Sequence, residues 1–292
     1  QGQTPQLPEL ALQYADYAHW QRQWMAAGER ERQLAYWQQL LGGEQPVLEL
    51  PTANARPALQ SYRGASLQLD LPPALAAALN ALAQREGVTL FMVLLASFQS
   101  LLYRYSGQQD IRVGVPIANR SRVEVERLVG FFVNTQVFKA DIDGQLSVGQ
   151  LLQQVKRRSL DAQSHQDLPF EQLVEALQPE RSLSHNPLFQ VMFNHQSEAG
   201  LMTSGQSLPD LRVEGLDWGS QTAQFDLSLD TQASAEGIHA TLTYATDLFA
   251  PAVLERMLAH WQNLLWGMLD DPQQRVSQLP LLEPVEQQTL VR

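Results

Sequence analysis

Several residues and patterns that mark particular functions are missing from this sequence of 292 residues. It contains no cysteine, which excludes disulfides, thiolate catalysis and cysteine-ligated metals. No apolar run approaches the ~20 residues of a membrane span, and the first ten residues lack the charged and apolar stretches of a signal peptide. We therefore expect a cytoplasmic protein without membrane contact.

Positive charge is also scarce, with 20 Lys and Arg against 31 Asp and Glu and a formal net charge of −11. A nucleic-acid surface needs clustered basic side chains, and residues 156–158 (KRR) are the only dense basic run. Neither GxGxxG nor GxxxxGK[ST] is present, which disfavours nucleotide binding. The six histidines show no ligand spacing, so we expect no metal site.

The pattern of apolar residues predicts a mixture of helices and strands around a sizeable core. Residues 90–103 are apolar almost all the way round, and Thr89 precedes them as an N-cap, so we expect a central buried helix. Leu67, Leu69 and Leu71 alternate with polar residues, as in a half-buried strand. Other strands are predicted at 111–117, 131–138, 188–194, 224–230 and 238–244, with a weaker one at 211–217, and other helices at 14–41 (broken at Gly28), 147–155, 167–177 and 251–270. Because the predicted helices and strands do not alternate strictly, we expect the fold class to be an α/β (α+β) layered sandwich.

The predicted strand at 131–138 places two amides, Asn134 and Gln136, on one face between Phe132 and Phe138. An amide offers both donors and an acceptor, so the pair can bind a peptide-like substrate. On the residues alone, hydrogen bonds to the neighbouring main chain are the simpler interpretation.

His165 and Asp167 lie together before a predicted helix, with Ser159 nearby in sequence. A Ser–His–Asp catalytic set is conceivable, but no nucleophile elbow is present and geometry, not sequence proximity, defines such a set. The structural alternative is that Asp167 accepts helix N–H groups and His165 bonds a carbonyl.

Asp226, Ser228 and Asp230 are predicted to share one face of a strand. Two carboxylates in that arrangement can hold a metal ion or share a proton. Because no histidine or further acidic ligand is predicted beside them, we expect an exposed sheet face instead.

Five segments resemble signatures of condensation domains from non-ribosomal peptide synthetases. They are residues 14–20 (YADYAHW), 61–64 (SYRG), 113–138 (VGVPIANRSRVEVERLVGFFVNTQVF), 165–176 (HQDLPFEQLVEA) and 186–196 (NPLFQVMFNHQ). The resemblance extends from about residue 1 to residue 266. The family's catalytic HHxxxDG motif appears nowhere in the sequence.

The resemblance implies a two-lobed fold related to chloramphenicol acetyltransferase. Such domains form an amide bond between a donor peptidyl or aminoacyl thioester and an acceptor aminoacyl thioester. Both are carried on phosphopantetheine arms of carrier domains, and no cofactor is bound directly. The general base belongs to the missing N-terminal lobe, so no catalytic residue is expected here. Substrate-tunnel candidates are Asn134, Gln136 and Arg120; motif residues expected to be structural are Tyr14, Asp16, Arg63, His165, Asp167 and Asp226.

By the same resemblance, residues 1–45 form a helical approach following the missing lobe, 46–272 the C-terminal lobe, and 273–292 a linker toward an adenylation domain. The sequence is thus expected to be a piece of a longer protein that is inactive alone, with an exposed apolar face where the other lobe docks. Its motifs look closest to domains that join a D-configured donor to an L acceptor. Epimerisation or heterocyclisation relatives, and a non-catalytic module that docks carrier proteins, remain open alternatives.

Overall fold

One mixed sheet of six strands, covered by helices, organises the part of the chain that the structure describes. The structure is a computed structural model and describes residues 9–180, 182–197 and 221–282, with residues 286 and 288. The helices are α1 (Tyr14–Trp24), α2 (Arg30–Leu41), α3 (Pro73–Glu86), α4 (Leu90–Ser106), α5 (Val148–Gln163), α6 (Phe170–Leu177) and α7 (Pro251–Asp270). The strands are β1 (Gly64–Leu71), β2 (Asp110–Ile117), β3 (Asn134–Asp141), β4 (Val191–Gln196), β5 (Leu227–Ser234) and β6 (Gly237–Ala245).

The strand order is β1-β6-β5-β4-β2-β3. Strands β2 and β4, and β4 and β5, are parallel, whereas the other neighbours are antiparallel. The predicted alternation in β1 is confirmed, because Leu67 and Leu69 lie opposite Leu242 and Ala240 on the same face of the sheet. Their polar neighbours point to the opposite face, and the helices pack on the apolar face.

Helix α4 lies at the centre of the core, as its apolar sequence predicts. Thr89 caps it by accepting a hydrogen bond from the Met92 N–H at 3.3 Å. The helix packs against α3, α5 and α7. Trp261 of α7 is fully buried, and its indole N–H donates to Ser97 of α4 at 2.9 Å. The predicted break at Gly28 is also confirmed, since its φ of +110° suits glycine.

The strand predicted at 131–138 begins only at Asn134, so this prediction is wrong for its first three residues. Phe131 is 77% exposed, and Phe132 packs in a small separate cluster with Tyr14 and Tyr17 of α1. Of these three residues only Phe132 packs on α1, whereas Phe131 and Val133 are exposed, so the apolar pattern does not mark a strand here. The weak strand predicted at 211–217 lies outside the described residues.

Residues 276–281, within the predicted linker, pack directly on the core. Val276 and Leu279 are buried, and the Arg104 guanidinium donates to both of their carbonyls, at 3.3 and 2.7 Å. A Cβ added at Gly267 would lie 2.5 Å from the Pro280 ring, so glycine is required for this close approach.

A chain of hydrogen bonds continues this attachment toward the end of the sequence. The Asn263 amide donates to the Leu281 carbonyl at 2.8 Å. His260, also on α7, contacts the Tyr105 hydroxyl at 2.7 Å with Nδ1 and the Glu286 carboxylate at 3.0 Å with Nε2. The tail is therefore held by side chains of both α4 and α7.

Within the described ranges, no single helix is long and apolar enough to cross a membrane. Helices α3 and α4 reach the required length and hydropathy only as a pair that bends by 102°.

Candidate functional site

The signature segments of β3 and of residues 164–169, here called the HQD turn, meet in the structure. Asn134 Nδ2 donates to the carbonyls of Gln166 and Leu168 at 3.0 and 2.8 Å. Its Oδ1 accepts from the Phe170 N–H at 3.0 Å. Since α6 starts at Phe170 after Pro169, which offers no side-chain cap, Asn134 supplies the missing cap from across the fold.

Gln136 also bonds to the main chain, in the last turn of α5. Its side chain is 4% exposed, and Nε2 donates to the Ala162 carbonyl at 2.7 Å. Both amides therefore bond to main-chain groups, Gln136 at the end of α5 and Asn134 in the connection to α6, as the simpler interpretation of the sequence holds. A direct substrate contact by either of them stays a prediction.

Helix α2 holds the other side of the HQD turn. The Tyr36 ring stacks on His165 with centroids 4.1 Å apart, and the Trp37 indole donates to the His165 carbonyl at 2.9 Å. Gln33 is fully buried; its amide donates to Asp167 at 3.2 Å and accepts from the next main-chain N–H at 2.7 Å. The turn is thus fixed between a strand and a helix that are distant from each other in sequence.

The structural role predicted for His165 is confirmed, whereas the one predicted for Asp167 is wrong. His165 Nδ1 contacts the Asp161 carbonyl at 2.7 Å, as expected, and Nε2 lies 3.1 Å from Arg32. Asp167 does not cap α6, because that position is served by Asn134. The Ser159 hydroxyl is buried without a partner among the described residues, so it forms no catalytic set with His165.

Arg120 organises the loop between β2 and β3. Its guanidinium donates to the carbonyls of Val125 and Leu128 at 2.6 and 2.8 Å and lies 4.1 Å from the Phe132 ring centroid. These contacts fold the loop back on itself and engage the cation that the sequence suggests for a substrate tunnel.

Two motif residues of α1 also have structural contacts. The Tyr14 hydroxyl donates to the Phe131 carbonyl at 2.7 Å, and its ring leaves no room for a Cβ at Gly130, which would lie 2.2 Å away. Asp16 accepts from the Gln13 N–H at 2.9 Å and so caps the helix.

Asp226 is not on an exposed sheet face, contrary to expectation. It precedes β5, is 5% exposed, and accepts from both terminal nitrogens of Arg56, one at 2.8 Å. Burial of a carboxylate requires such a partner. Arg63 pairs with Asp247 at 2.6 Å on the surface. Among the described residues no group of three or more metal-ligating side chains is found.

A groove that sequence reasoning missed lies between residues 59–62, 182–186 and 222–225, with a volume of about 630 Å³. Ser182 Oγ lies 2.7 Å from Ser184 Oγ, which is 2.8 Å from His185 Nδ1. Burial, followed by the nearby Arg56 charge, lowers the pKa of His185. Ser182 and Ser184, which lie just before His185 in the sequence, were the pattern that could have indicated this cluster.

Comparison with known proteins agrees with this geometry. The family model described as "Condensation domain" matches residues 1–291. The chain belongs to the condensation-domain family. The expected resemblance and the layered α/β fold of the chloramphenicol acetyltransferase type are thereby confirmed.

Two curated relatives belong to peptide synthetases. One component of the linear gramicidin synthase of Brevibacillus parabrevis is 48% identical over 292 residues, which cover 99% of this chain and 4% of that protein. Surfactin synthase subunit 1 of Bacillus subtilis (strain 168) is 39% identical over 282 residues, 96% of this chain and 8% of the relative. The chain thus spans less than a tenth of each.

Two solved structures share the fold. The X-domain from teicoplanin biosynthesis has a TM-score of 0.86 and 27% identity, over 96% of this chain and 65% of that one. The condensation domain from the monacolin K polyketide synthase MokA has a TM-score of 0.80 and 22% identity, over 94% and 64%. About a third of each solved domain therefore has no counterpart here.

Proposed function

We propose that this chain is the C-terminal lobe of a condensation domain in a non-ribosomal peptide synthetase that forms amide bonds. In the proposed reaction, the amine of an acceptor aminoacyl thioester attacks a donor peptidyl or aminoacyl thioester, and the donor's phosphopantetheine thiol leaves. The whole-chain match to the condensation family, together with relatives that are peptide synthetases, carries the proposal.

The chain's own share of the reaction is to position substrates. A general base must lie within hydrogen-bond reach of the proton that it removes. The HHxxxDG motif that supplies it in the family is absent from the sequence, and His165 is engaged with Asp161 and Arg32 through both ring nitrogens. We therefore infer that the missing N-terminal lobe carries the base and that the fragment alone is inactive.

The surface around the β2–β3 loop supports a second lobe as a partner. Four apolar side chains of this loop project outward: Val123, Val129, Phe131 and Val133. Val129 is 91% exposed, the highest value among the large apolar residues described. Four exposed apolar side chains on one loop favour a surface that is covered in the complete protein. The other proposed partners are carrier domains and an adenylation domain, in the cytoplasm.

Reconstitution tests the proposal. The chain is joined to its upstream sequence and incubated with donor- and acceptor-loaded carrier proteins, and product is measured by mass spectrometry. We expect amide product from the restored domain and none from the 292-residue chain. A variant with the second histidine of HHxxxDG replaced by alanine is the matched control. Product from the chain alone, or none from a folded restored domain, contradicts the proposal.

The same assay addresses donor stereochemistry and the sibling reactions. A donor ending in a D-configured residue should react faster than its L epimer if the motif resemblance holds, and the reverse order ends that part of the proposal. An upstream aspartate-rich motif in place of HHxxxDG would indicate heterocyclisation. Conversion of a donor's configuration without amide formation would indicate epimerisation.

A non-catalytic docking module is the second candidate. It is favoured by one comparison, since the X-domain from teicoplanin biosynthesis was solved in complex with OxyB, with a TM-score of 0.85 and 27% identity to this chain. Carrier-protein binding that survives removal of the acyl group, with no product from the restored domain, supports docking over substrate positioning.

A further inference from the structure

A small recess with aromatic walls and an acidic floor lies beside the HQD turn. Its volume is about 250 Å³, and rings of Tyr14, Phe131, Phe132 and Phe170 line it. Among the polar side chains that also line it, Asp167 contributes a carboxylate. Apolar rings and polar side chains contribute about equally to its lining, so the recess suits a small molecule with one apolar part and one charged part.

The Asp167 carboxylate is half-buried, and no cationic side chain among the described residues contacts it directly. Oδ2 accepts from neutral Gln33, and no ion pair of Asp167 is found within the described part of the chain. Burial, with a further contribution from Glu29, raises the pKa of Asp167, whereas Arg122 and Arg32 oppose the rise without contacting it. A partly desolvated charge without a counter-ion favours any cation that fits beside it.

The neighbouring groups do not supply that cation. The Arg120 guanidinium, which lies over the Phe132 ring, is engaged by main-chain carbonyls of its own loop. The Asn134 amide on the same wall is engaged by the HQD turn. The Glu171 carboxylate also lines the recess and adds a second negative charge.

We propose that this recess binds a primary ammonium group carrying an aromatic or apolar substituent, with Asp167 as the counter-ion. The ammonium forms a charge-assisted hydrogen bond with the carboxylate, and the rings contact its substituent and attract the cation through their π faces. The volume admits a group the size of an amino-acid side chain. The link to an aminoacyl acceptor rests on the proposed function, whereas the binding itself does not.

The test is a titration of the 292-residue chain with 2-phenylethylamine, followed by NMR chemical-shift changes, beside its neutral analogue 2-phenylethanol. We expect the wild-type chain to bind the amine at least ten-fold more tightly than the alcohol. Asp167→Asn should abolish this preference and leave alcohol binding unchanged. Asp230→Asn, at a carboxylate on β5 outside the recess, is the matched control and should keep the preference.

Equal affinity of the wild-type chain for the two probes overturns the proposal, as does a preference that Asp167→Asn retains. Should Asp167→Asn fail to fold, Phe131→Ala decides, because this exposed side chain can be truncated without opening the core. We expect it to weaken binding of both probes several-fold, and unchanged affinity contradicts the recess as the site. Because no step needs amide-bond formation, failure here is distinct from failure of the proposed function.

Discussion

Replacing Asn134 by alanine should destabilise the chain through the HQD turn rather than through the core. The substitution removes three hydrogen bonds, two to the carbonyls of Gln166 and Leu168 and one from the Phe170 N–H. At about 1 kcal/mol for each bond, the free energy of unfolding should fall by about 3 kcal/mol. Urea denaturation measures this loss, and hydrogen exchange should quicken first at the Phe170 amide.

Asparagine is required at this position for the direction of its bonds, which a second variant tests. Asn134→Asp keeps the acceptor for Phe170 but turns a carboxylate toward two carbonyl oxygens, so it should be no more stable than the alanine variant at neutral pH. Asn194→Ala, which removes one surface bond to Asp230, is the matched control and should cost about 0.5 kcal/mol. A loss below about 0.5 kcal/mol in Asn134→Ala would refute the role of this amide as a clamp.

Two further predictions concern charge. Arg56→Met leaves Asp226 buried without its partner and should cost about 3 kcal/mol, whereas Arg63→Met at the exposed pair with Asp247 should have a much smaller effect. Similar urea midpoints for the two variants would contradict this. Burial lowers the pKa of His195 in the folded chain, so His195 of the unfolded chain binds a proton at a higher pH than it does in the folded chain. The free energy of unfolding should therefore fall as the pH drops below about 6.5. The fall should be smaller in His195→Gln, and equal falls would show that this histidine is not responsible.

Local signals in the sequence predicted much of the fold. The helix predicted from residue 147 begins with a capping box, in which Ser147 and Gln150 exchange side-chain to main-chain bonds of 2.9 and 3.2 Å. Helix α4 was recognisable because its apolar residues surround it completely. Such features depend on residues three or four apart in the sequence, so they can be predicted without knowledge of the tertiary structure.

Contacts between distant segments could not be predicted in the same way. Alternation at 131–138 is equally compatible with a strand and with a loop in which one ring, that of Phe132, packs on α1. For residues 131–133, tertiary packing decides in favour of the loop. The two amides of β3 were identifiable, but their acceptors lie about 30 residues away, at the end of α5 and in its connection to α6. Likewise, Asp226 showed no sign of burial because its partner, Arg56, is 170 residues distant.

The fit of Pro280 against Gly267 determines where this protein can be cut or joined to another. A boundary drawn at residue 272, just after α7 ends, removes Val276 and Leu279 from the interior and uncovers the groove that they fill. Hybrid proteins that include this chain should therefore carry residues up to at least 282, and preferably Glu286, along with it. A fusion point after Glu286 preserves its hydrogen bond with His260 and leaves the hydrophobic core intact.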